Sequence, residues 1–381
     1  MNVLHVYKSY YPDTVGGIEQ VISQLSRALQ PLGVTSRVFT LSPDAQPPVI
    51  GYPECEVHRC RSTLDIASSP FSLGALAAFR EQVEWADVIH YQFPWPFADL
   101  LHLLWGHARP SVVSYQSDVV RQSWLRLAYA PLMQRFLRRV DRVVASSPPY
   151  TQTSPVLSGL RHPPVVIPNG IDEATCPAPS AEALARWRER VGEGFMLFTG
   201  VLRYYKGLDT LVDAAQGFAG RIVIAGDGPL ADTLRQQIAR RGLSNILCLG
   251  YVSDEDKMAL LQLARAFVFP SNVRSEAYGM SLVEAAMAGK PMVSCEIGTG
   301  TSYINQHGVT GQVVPPDDPQ ALREAMQRLL DHPDEARALG AQARQRFETH
   351  FTARRMADAY WALYREVIDA AAESARCRTA A

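Results

Sequence analysis

The chain has 381 residues, of which 47% are hydrophobic and 20% charged, and its formal net charge is −1. This length predicts two domains that each bury a core, and the near-zero charge excludes a general electrostatic attraction to nucleic acid. No run of about 18 apolar residues occurs and the opening MNVLHVYKSYY is too polar for a signal peptide, so we expect a cytoplasmic protein without a membrane span. The six cysteines lack metal-binding spacing and are expected to be reduced thiols.

Short apolar stretches alternate with longer amphipathic ones along the whole chain, which predicts βαβ units and parallel sheets. We expect helices at 19–29, 208–215 and 282–288, among others. The two series of strands predict an α/β protein made of two doubly wound domains. The expected strands are 3–7, 37–41, 88–92, 111–116, 143–147 and 165–168, then 195–199, 221–225, 246–249, 266–269, 291–295 and 311–314.

The domain boundary is expected in VVIPNGIDEATCPAPSAEA, because Asn169-Gly170 is a turn signal and two prolines follow it. We therefore predict an N-terminal domain over 1–168 and a C-terminal domain over 169–351. A final helix at about 352–381 is expected to pack back on the first domain. Ligands of open parallel sheets bind beyond the carboxyl ends of the strands. Polar and glycine residues follow strands in both halves, so the two sheets are expected to share one cleft.

The loop in TGVLRYYKGLDTL carries two cations close to the start of a helix. A strand ends at Gly200, Arg203 and Lys206 follow, and the helix begins near residue 208. Two cations beside a helix N-terminus suit a diphosphate. A solvated loop with two surface cations is the alternative.

The segment PSNVRSEAYGMSLVEAAMAGKP carries a pair of carboxylates. Glu276 lies in a loop and Glu284 on the helix that follows it. Gly279 allows backbone N–H groups to approach a ligand closely, and the helix N-terminus favours an anion. Glu284 is flanked by leucine, valine and alanine, and a carboxylate in such an apolar helix usually has a specific partner. The alternative is a capping carboxylate on a solvated helix face.

Two further glycine motifs follow strands. Gly16-Gly17 in YYPDTVGGIEQVI opens a helix after the first strand, where backbone amides reach a phosphate or a sugar ring. IAGDGPL, at 224–230, repeats the order strand, glycine, helix. A plain flexible turn at the first motif and a tight βα turn at the second are the alternatives.

Together these motifs resemble glycosyltransferase family 4, whose members are retaining enzymes of GT-B fold with two Rossmann-like domains across a cleft. The resemblance covers residues 3–364 and rests on the Glu276/Glu284 pair together with GGIE, VIPNGID, TGVLRYYKGLDTL and AGDGPL in this order. YYPDTVGGIEQVI, HYQFPWPFADLL and SYQSDVVRQSWLRLAYAPLMQRFL look like bacterial polysaccharide mannosyl- and rhamnosyltransferases. Those enzymes build O-antigen, A-band lipopolysaccharide or related glycans from GDP-sugars on undecaprenyl-diphosphate carriers.

The resemblance implies that the C-terminal domain binds the nucleotide sugar and the N-terminal domain the acceptor. Arg203 and Lys206 would hold the donor diphosphate and stabilise the leaving group, so no metal and no cofactor are expected. Glu276 would bind hydroxyls of the donor sugar, and Glu284 the ribose hydroxyls. The donor would be a GDP-sugar. The other donor contacts implied are Gly16, Gly17, Gln116, Gly200, Tyr251, Val252, Ala277, Tyr278, Gly279, Met280, Ser281 and Leu282.

Gln116 departs from the family pattern, because the relatives usually have His-Ser-Asp where this chain has Gln-Ser-Asp. That histidine is implied to contact the donor hexose near its 6-hydroxyl. Glutamine can also form hydrogen bonds, but it has no ring that gains or loses a proton near neutral pH. A donor that lacks this hydroxyl, such as GDP-D-rhamnose, would explain the exchange. Neutral drift in a GDP-mannose-dependent enzyme is the rival explanation. Asp118 is interpreted as an orienting or acceptor-side group, with a βα-loop cap as the alternative.

Two segments are candidates for the acceptor side. Residues 121–142 interleave arginines with large apolar residues, which predicts peripheral contact with the cytoplasmic face of the inner membrane. An ordinary helix packed on the N-terminal sheet is the alternative. Trp95 in QFPWPFADL is a candidate wall of the acceptor site, with core packing as the alternative.

Other functions stay open at this point. A GT-B epimerase or phosphorylase would share the donor motifs, although an epimerase would show no dependence on an acceptor. A non-catalytic subunit that binds sugar nucleotides is disfavoured by the complete set of Arg203, Lys206, Glu276 and Glu284. A Rossmann dehydrogenase is disfavoured because no GxGxxG follows the first strand.

Overall fold

A computed structural model describes residues 1–66, 69–118 and 123–379 of the chain. Their contacts divide the chain into two compact units, Met1–Gly170 with Ala353–Ala381, and Ile171–Thr352. Each unit contains a mainly parallel sheet with helices in the connections, which confirms the predicted α/β class.

The first unit contains an eight-stranded sheet and a separate antiparallel pair of short strands. The strands are β1 (Asn2–Val6), β2 (Thr35–Ser42), β3 (Val49–Gly51), β4 (Glu56–Arg61), β5 (Leu64–Ile66), β6 (Ser69–Phe71), β7 (Val88–Phe93), β8 (Ser111–Tyr115), β9 (Arg142–Ala145) and β10 (Val165–Val166). The sheet order is β10-β9-β8-β7-β1-β2-β4-β3, and among its pairs only β3–β4 is antiparallel within the described residues. Every predicted strand of this half is present.

Five helices of the first unit precede the boundary between the units, in the part of the chain that the structure describes. They are α1 (Gly17–Leu29), α2 (Ala75–Trp85), α3 (Pro96–Leu104), α4 (Ser123–Leu137) and α5 (Pro148–Thr153). In α1, apolar residues three and four positions apart turn one face into the core, which is why this sequence forms a surface helix here. Gly16 is the N-cap of α1 in an extended conformation, so the helix begins directly at the glycine pair.

The second unit contains a six-stranded parallel sheet in the order β13-β12-β11-β14-β15-β16. Its strands are β11 (Met196–Thr199), β12 (Ile222–Ala225), β13 (Ile246–Gly250), β14 (Ala266–Phe269), β15 (Met292–Cys295) and β16 (Gly311–Val314). Its helices are α6 (Ala181–Val191), α7 (Leu208–Ala215), α8 (Ala231–Arg240), α9 (Asp254–Leu263), α10 (Met280–Met287), α11 (Gly300–Ile304), α12 (Pro319–Asp331) and α13 (Pro333–His350). Strands β11, β12, β14 and β15 are buried at every position, as expected for a sheet covered on both faces.

The last helix, α14 (Ala353–Thr379), returns to the first unit and packs against α1. Met356, Tyr360, Leu363, Tyr364 and Val367 form its buried face, at helical spacing. The two tyrosines are fully buried and bring their hydroxyl groups to the first sheet. This helix therefore contributes polar groups as well as apolar surface to the interior of the first unit.

Candidate active site

A lysine–glutamate pair lies at the carboxyl edge of the second sheet. Lys206 ends a short 3-10 turn after β11, and Glu276 lies in the loop after the neighbouring strand β14. Lys206 Nζ is 2.5 Å from Glu276 Oε2, and the two side chains are only 10% and 11% exposed. The Ser271 hydroxyl donates to the same carboxylate oxygen at 3.3 Å. Among the described residues nothing hydrogen-bonds Glu276 Oε1, so this oxygen is available to a ligand.

Aromatic rings surround the ammonium group of Lys206. Its Nζ lies 4.6 Å from the centre of the Phe269 ring and 5.3 Å from that of Tyr205, within the range of cation–π attraction. Burial, together with Glu276, raises the pKa of Tyr205 to about 12, so this phenol stays protonated at neutral pH. The ammonium group and the carboxylate are thus largely shielded from solvent, and charges interact more strongly there than in water.

Gly207 fixes the position of the lysine turn. Its φ of +64° lies in the left-handed region, and a Cβ here would come within 1.9 Å of the Pro270 carbonyl oxygen. The amide of Asn272 also donates to the Tyr205 carbonyl at 3.1 Å. Only glycine permits this close approach. The loops that carry Lys206 and Glu276 are therefore locked together by their backbones.

Gly200 and Gly226 bring the loops after β11 and β12 into backbone contact. A Cβ on Gly226 would lie 2.0 Å from the Gly200 carbonyl oxygen, and the Leu202 amide donates to the Asp227 carbonyl at 2.9 Å. IAGDGPL thus forms the tight βα turn that was one of its two interpretations. Arg203 follows this contact and is exposed at the same edge of the sheet.

Glu284 is buried on α10 and has a cationic partner, as its apolar flanks predicted. Lys257 of α9 donates from Nζ to Glu284 Oε1 at 2.8 Å and also lies 3.1 Å from Asp254. Burial alone would lower the pKa of Lys257, but Glu284 and then Asp254 outweigh it and raise that pKa above its ordinary value. In the described ranges Glu284 Oε2 has no hydrogen-bond partner.

The start of α10 lies beside the lysine–glutamate pair. Gly279, the N-cap, has a φ of +97°, and a Cβ here would lie 3.1 Å from the Phe269 ring. The amides of Met280 and Ser281 occupy the first turn, where helical N–H groups have no intrahelical acceptor. The side chains of the other predicted contacts in this segment, Ala277, Tyr278 and Leu282, are buried, so only their backbone groups can meet a ligand.

Tyr251 and Val252 follow β13, two strands from β11 in the sheet. The Tyr251 side chain is 82% exposed, whereas Val252 packs partly against the core. An exposed aromatic ring at this edge provides a stacking surface for a planar base. The predicted donor contacts of the second unit therefore all lie at the carboxyl edge of one sheet.

The glycine pair of the first unit lies over a buried carboxylate. Glu19 is 5% exposed and accepts hydrogen bonds from Ser9 Oγ at 3.0 Å and Thr14 Oγ1 at 2.6 Å. A Cβ on Gly16 would lie 2.6 Å from Glu19 Oε2, and Gly17 is exposed at the first position of α1. Glu19 thus holds the loop that precedes α1. It was not predicted from the sequence, because the GGIE motif drew attention to its glycines.

Gln116 directly follows β8 and is held by the neighbouring strand. Its amide nitrogen Nε2 donates to Gln92 Oε1 at 2.7 Å, and its backbone N–H donates to the Phe93 carbonyl at 3.0 Å. Gln92 is buried on β7, next to His90. Neither Gln92 nor His90 was predicted as a site residue, since both lie inside a continuous buried strand.

Asp118 is held in place by hydroxyl groups of the first unit. Its Oδ1 accepts from Tyr115 at 3.0 Å and from Ser154 at 2.6 Å, and its backbone N–H donates to the Tyr150 hydroxyl at 2.6 Å. The two hydroxyl groups fix the orientation of the carboxylate. An orienting group and a βα-loop cap would both make these hydrogen bonds.

Trp95 is a core residue rather than an exposed wall. Its side chain is fully buried, its indole N–H donates to the Pro70 carbonyl at 3.0 Å, and its ring packs against Phe97. A side chain without exposed surface cannot contact an acceptor. Its interpretation as an acceptor-side wall is therefore corrected to core packing, the alternative considered above.

The segment 121–142 lies only partly within the described residues, since 121 and 122 fall outside them. In the described part, Met133, Phe136 and Leu137 are buried, and the Tyr129 hydroxyl donates to the buried Asp99 of α3. Arg135, Arg138 and Arg139 are exposed. These apolar side chains therefore pack into the protein and do not form the membrane-facing surface that their composition predicted.

Comparisons with known proteins place the chain in a family. Residues 179–346 match the family Glycosyl transferases group 1, and residues 16–170 match Glycosyl transferase 4-like domain. A D-rhamnosyltransferase, WbpZ, from Pseudomonas aeruginosa is 53% identical over 93% of each chain. The O-antigen chain mannosyltransferase C of Escherichia coli is 48% identical over 97% of this chain and 99% of that protein.

A solved structure shows the same fold. Sucrose-phosphate synthase from Thermosynechococcus elongatus aligns with a TM-score of 0.80 at 22% identity, covering 97% of this chain and 99% of that one. No described helix combines the length and the apolar character needed to cross a bilayer. The resemblance inferred from the motifs is confirmed: the chain belongs to glycosyltransferase family 4 and is a retaining hexosyltransferase of GT-B fold.

Proposed function

We propose that this enzyme transfers a D-rhamnosyl unit from GDP-D-rhamnose to a lipid-diphosphate-linked glycan during the synthesis of a cell-surface polysaccharide. The observation that carries the donor site is the buried Lys206–Glu276 pair, whose second carboxylate oxygen is available to a ligand. The choice of sugar is supported by the 53% identity to a D-rhamnosyltransferase.

In this proposal the donor diphosphate lies at the carboxyl edge of the second sheet. Lys206 and Arg203 neutralise the negative charge that grows on the phosphate as the bond to the sugar breaks. The amides of Met280 and Ser281 add the positive end of the α10 dipole. Glu276 binds hydroxyls of the sugar through Oε1, and Glu284 binds the ribose hydroxyls through Oε2. The exposed ring of Tyr251 stacks on the base.

Retention follows from the side on which the acceptor attacks. The bond between the anomeric carbon and the phosphate oxygen breaks, and the acceptor oxygen bonds to the same face of that carbon. The acceptor proton passes to the departing phosphate oxygen, so no protein nucleophile is required. Asp118, already hydrogen-bonded by Tyr115 and Ser154, serves as an orienting group rather than as a nucleophile.

Gln116 supports a 6-deoxy donor in this proposal. The family resemblance implies that a histidine at this position contacts the region of the 6-hydroxyl, and a site built for a hydroxyl group loses binding energy when the hydroxyl is missing. A GDP-mannose-dependent enzyme of the same pathway type is the second candidate, favoured by the 48% identity to an O-antigen mannosyltransferase. A non-catalytic subunit that binds sugar nucleotides is the candidate of another class.

We further propose peripheral binding to an anionic membrane, where a lipid-linked acceptor resides. The exposed Arg135, Arg138 and Arg139 lie on α4 and just after it, and α4 packs against α3. On α3, Leu100 and Leu104 are exposed one turn apart. Basic and apolar groups on adjacent helices suit an anionic bilayer surface. Absence of binding to anionic liposomes at low salt would contradict this proposal.

The experiment that tests the function is single-donor turnover. The purified enzyme is incubated separately with GDP-D-rhamnose and GDP-mannose, each with a lipid-diphosphate N-acetylglucosamine analogue, and the product mass is measured. Transfer from GDP-D-rhamnose is expected, and the anomeric configuration of the product should match that of the donor. Equal transfer from GDP-mannose would support the second candidate. A protein that binds GDP-sugars but gives no product with any lipid-linked acceptor would support the non-catalytic one.

A further inference from the structure

A chain of buried hydrogen bonds runs from Gln116 to the C-terminal helix. Gln116 Nε2 donates to Gln92 Oε1 at 2.7 Å, and Gln92 Nε2 lies 3.3 Å from His90 Nε2. The other nitrogen of His90, Nδ1, lies 2.7 Å from the Tyr364 hydroxyl. Gln92, His90 and Tyr364 are at most 1% exposed. Water therefore does not compete for the bonds between Gln92, His90 and Tyr364.

Ser114 adds a second link between His90 and α14. Its Oγ lies 2.7 Å from His90 Nε2 and 2.6 Å from the Tyr360 hydroxyl. Burial, and then the neighbouring His5, lowers the pKa of His90 well below its ordinary value, so the ring is neutral at physiological pH. A neutral imidazole has one donor nitrogen and one acceptor nitrogen.

The amide orientation of Gln92 selects between the two neutral forms of His90. Because Gln92 Oε1 accepts from Gln116, the NH2 group of Gln92 faces His90 Nε2, which is then the acceptor. In this form the proton is on Nδ1 and is donated to the Tyr364 hydroxyl. Ser114 accepts from Tyr360 and shares the Nε2 lone pair with Gln92 as a second donor. With its nitrogen committed to Gln92, Gln116 is left with its carbonyl oxygen Oε1, which has no protein partner among the described residues.

We infer that Gln92 is a positioning residue for donor recognition: through the Nδ1–H form of His90 it fixes the Gln116 amide so that Oε1 accepts a hydrogen bond from a ring hydroxyl of the donor sugar, which a 6-deoxy sugar retains. The inference rests on the proposed function, because Gln116 is taken to contact the donor. It goes beyond that function because Gln92, His90 and Tyr364 decide whether Gln116 presents its carbonyl oxygen or its NH2 group to the sugar. Helix α14 thereby takes part in sugar recognition without contacting the sugar.

The first test is the tautomer of His90 in the intact enzyme. Nitrogen-15 NMR of histidine-labelled protein distinguishes a protonated Nδ1 from a protonated Nε2, with His90→Gln used to assign the signal. We expect protonated Nδ1 in the parent and loss of this preference in Tyr364→Phe, which removes only the hydroxyl partner. A protonated Nε2 would reverse both amides, would turn the Gln116 NH2 outward and would overturn the inference.

The second test is calorimetric titration with GDP-mannose, GDP-D-rhamnose and GDP. Gln92→Leu is expected to weaken the binding of at least the favoured sugar-bearing donor by about two- to tenfold, the effect of one hydrogen bond, and to leave GDP within about twofold. Gln312→Leu, which removes a buried glutamine from the other unit, is the matched control and should change none of the three affinities.

The outcomes separate the inference from the function on which it rests. An equal loss for GDP and the GDP-sugars, or no loss at all, would overturn the inference, because a positioning role acts on the sugar alone. A parent that binds no GDP-sugar would contradict the proposed function instead. In that case the His90 tautomer still decides which atom Gln116 presents.

Discussion

Lys206 and Glu276, 70 residues apart in the chain, form a close ion pair with 2.5 Å between Nζ and Oε2. Neighbouring strands deliver the two residues to one edge of the sheet, and Gly207 keeps their loops in contact. In our proposal a phosphate oxygen joins the ammonium group and a sugar hydroxyl joins the carboxylate. The pair therefore organises the site before the donor arrives, which reduces the reorganisation that catalysis requires.

Replacing Lys206 with methionine keeps the aliphatic stem and removes the charge. We expect kcat to fall by about 10²- to 10³-fold, because the leaving diphosphate loses a preorganised cation. The buried carboxylate of Glu276 also loses its partner, which lowers the free energy of unfolding by about 3 kcal/mol. Steady-state rates and urea unfolding measure the two effects separately.

The double variant Lys206→Met/Glu276→Gln is the control for this prediction. Removing both charges should recover most of the lost stability, since no unpaired charge stays buried. The transfer rate should stay low. If the double variant regained the parental rate, Lys206 would have only a structural role.

Gly207→Ala and Gly242→Ala form a matched pair that separates backbone strain from steric contact. Their φ angles are +64° and +63°, but a Cβ on Gly242 meets nothing within 4 Å, whereas one on Gly207 meets the Pro270 carbonyl at 1.9 Å. We expect Gly242→Ala to cost about 1 kcal/mol of unfolding free energy without loss of activity. Gly207→Ala should cost more and should also lower transfer, because it separates Lys206 from Glu276. Equal effects of the two changes would show that the contact does not matter.

Glu284 is predicted to recognise the ribose. GDP should inhibit the parent enzyme about 10- to 150-fold more strongly than 2′,3′-dideoxy-GDP, because hydroxyls bonded to a charged carboxylate contribute roughly 1.5–3 kcal/mol. In Glu284→Gln this discrimination should shrink to a few-fold. Lys257→Met tests the ion pair that supports Glu284. It should weaken inhibition by GDP and reduce the preference for GDP over 2′,3′-dideoxy-GDP only in part. If Glu284→Gln kept the full preference for GDP over 2′,3′-dideoxy-GDP, the ribose hydroxyls would not bind to Glu284.

Buried neutral histidines predict how stability depends on pH. Burial lowers the pKa of His5 to about 3, and neither ring nitrogen has a partner among the described residues. The unfolded chain binds this proton near pH 6.5 and the folded chain does not, so stability is lost as pH falls below that value. The cost at pH 5 is about 2 kcal/mol for one such group.

His5→Leu should therefore make the urea midpoint less sensitive to pH between 6.5 and 5 than that of the parent. Between these pH values the free energy of unfolding of the parent should fall by about 1.1 kcal/mol per pH unit more than that of the variant, a slope that approaches about 1.4 kcal/mol per pH unit, the value for one proton, at lower pH. The comparison between variant and parent removes the contribution of the carboxylates. Parallel pH profiles would mean that His5 is protonated in the folded protein.

Much of the fold was accessible from the sequence, because buried parallel strands are short apolar runs. Every predicted strand is present, and each of its ends lies within two residues of the structure. Strands β3, β5 and β6 were missed because they have three residues each and little buried surface, so no apolar run marks them. Strand β4 was missed because its charged residues break up the apolar pattern.

The candidate site was accessible in part. Loops after strands identified Lys206 and Glu276, since chain topology brings such loops to one edge. The partner of Glu284 was expected, but no local pattern singled out Lys257, which lies on another helix. Gln92 and His90 lie inside a buried strand, and His90 is hydrogen-bonded to Tyr364, 274 positions away, so no local pattern marks them. Trp95 was misread because large aromatic residues suit both walls and cores.

The most direct test of the central claim is a competition between GDP-D-rhamnose and GDP-mannose at equal concentration in one reaction with the lipid-diphosphate acceptor. The ratio of product masses gives the ratio of kcat/KM for the two donors. We predict that the parent favours D-rhamnose and that Gln116→His shifts the ratio towards mannose. The same ratio in parent and variant would remove the meaning given to Gln116, and a parent that prefers mannose would contradict the proposed donor.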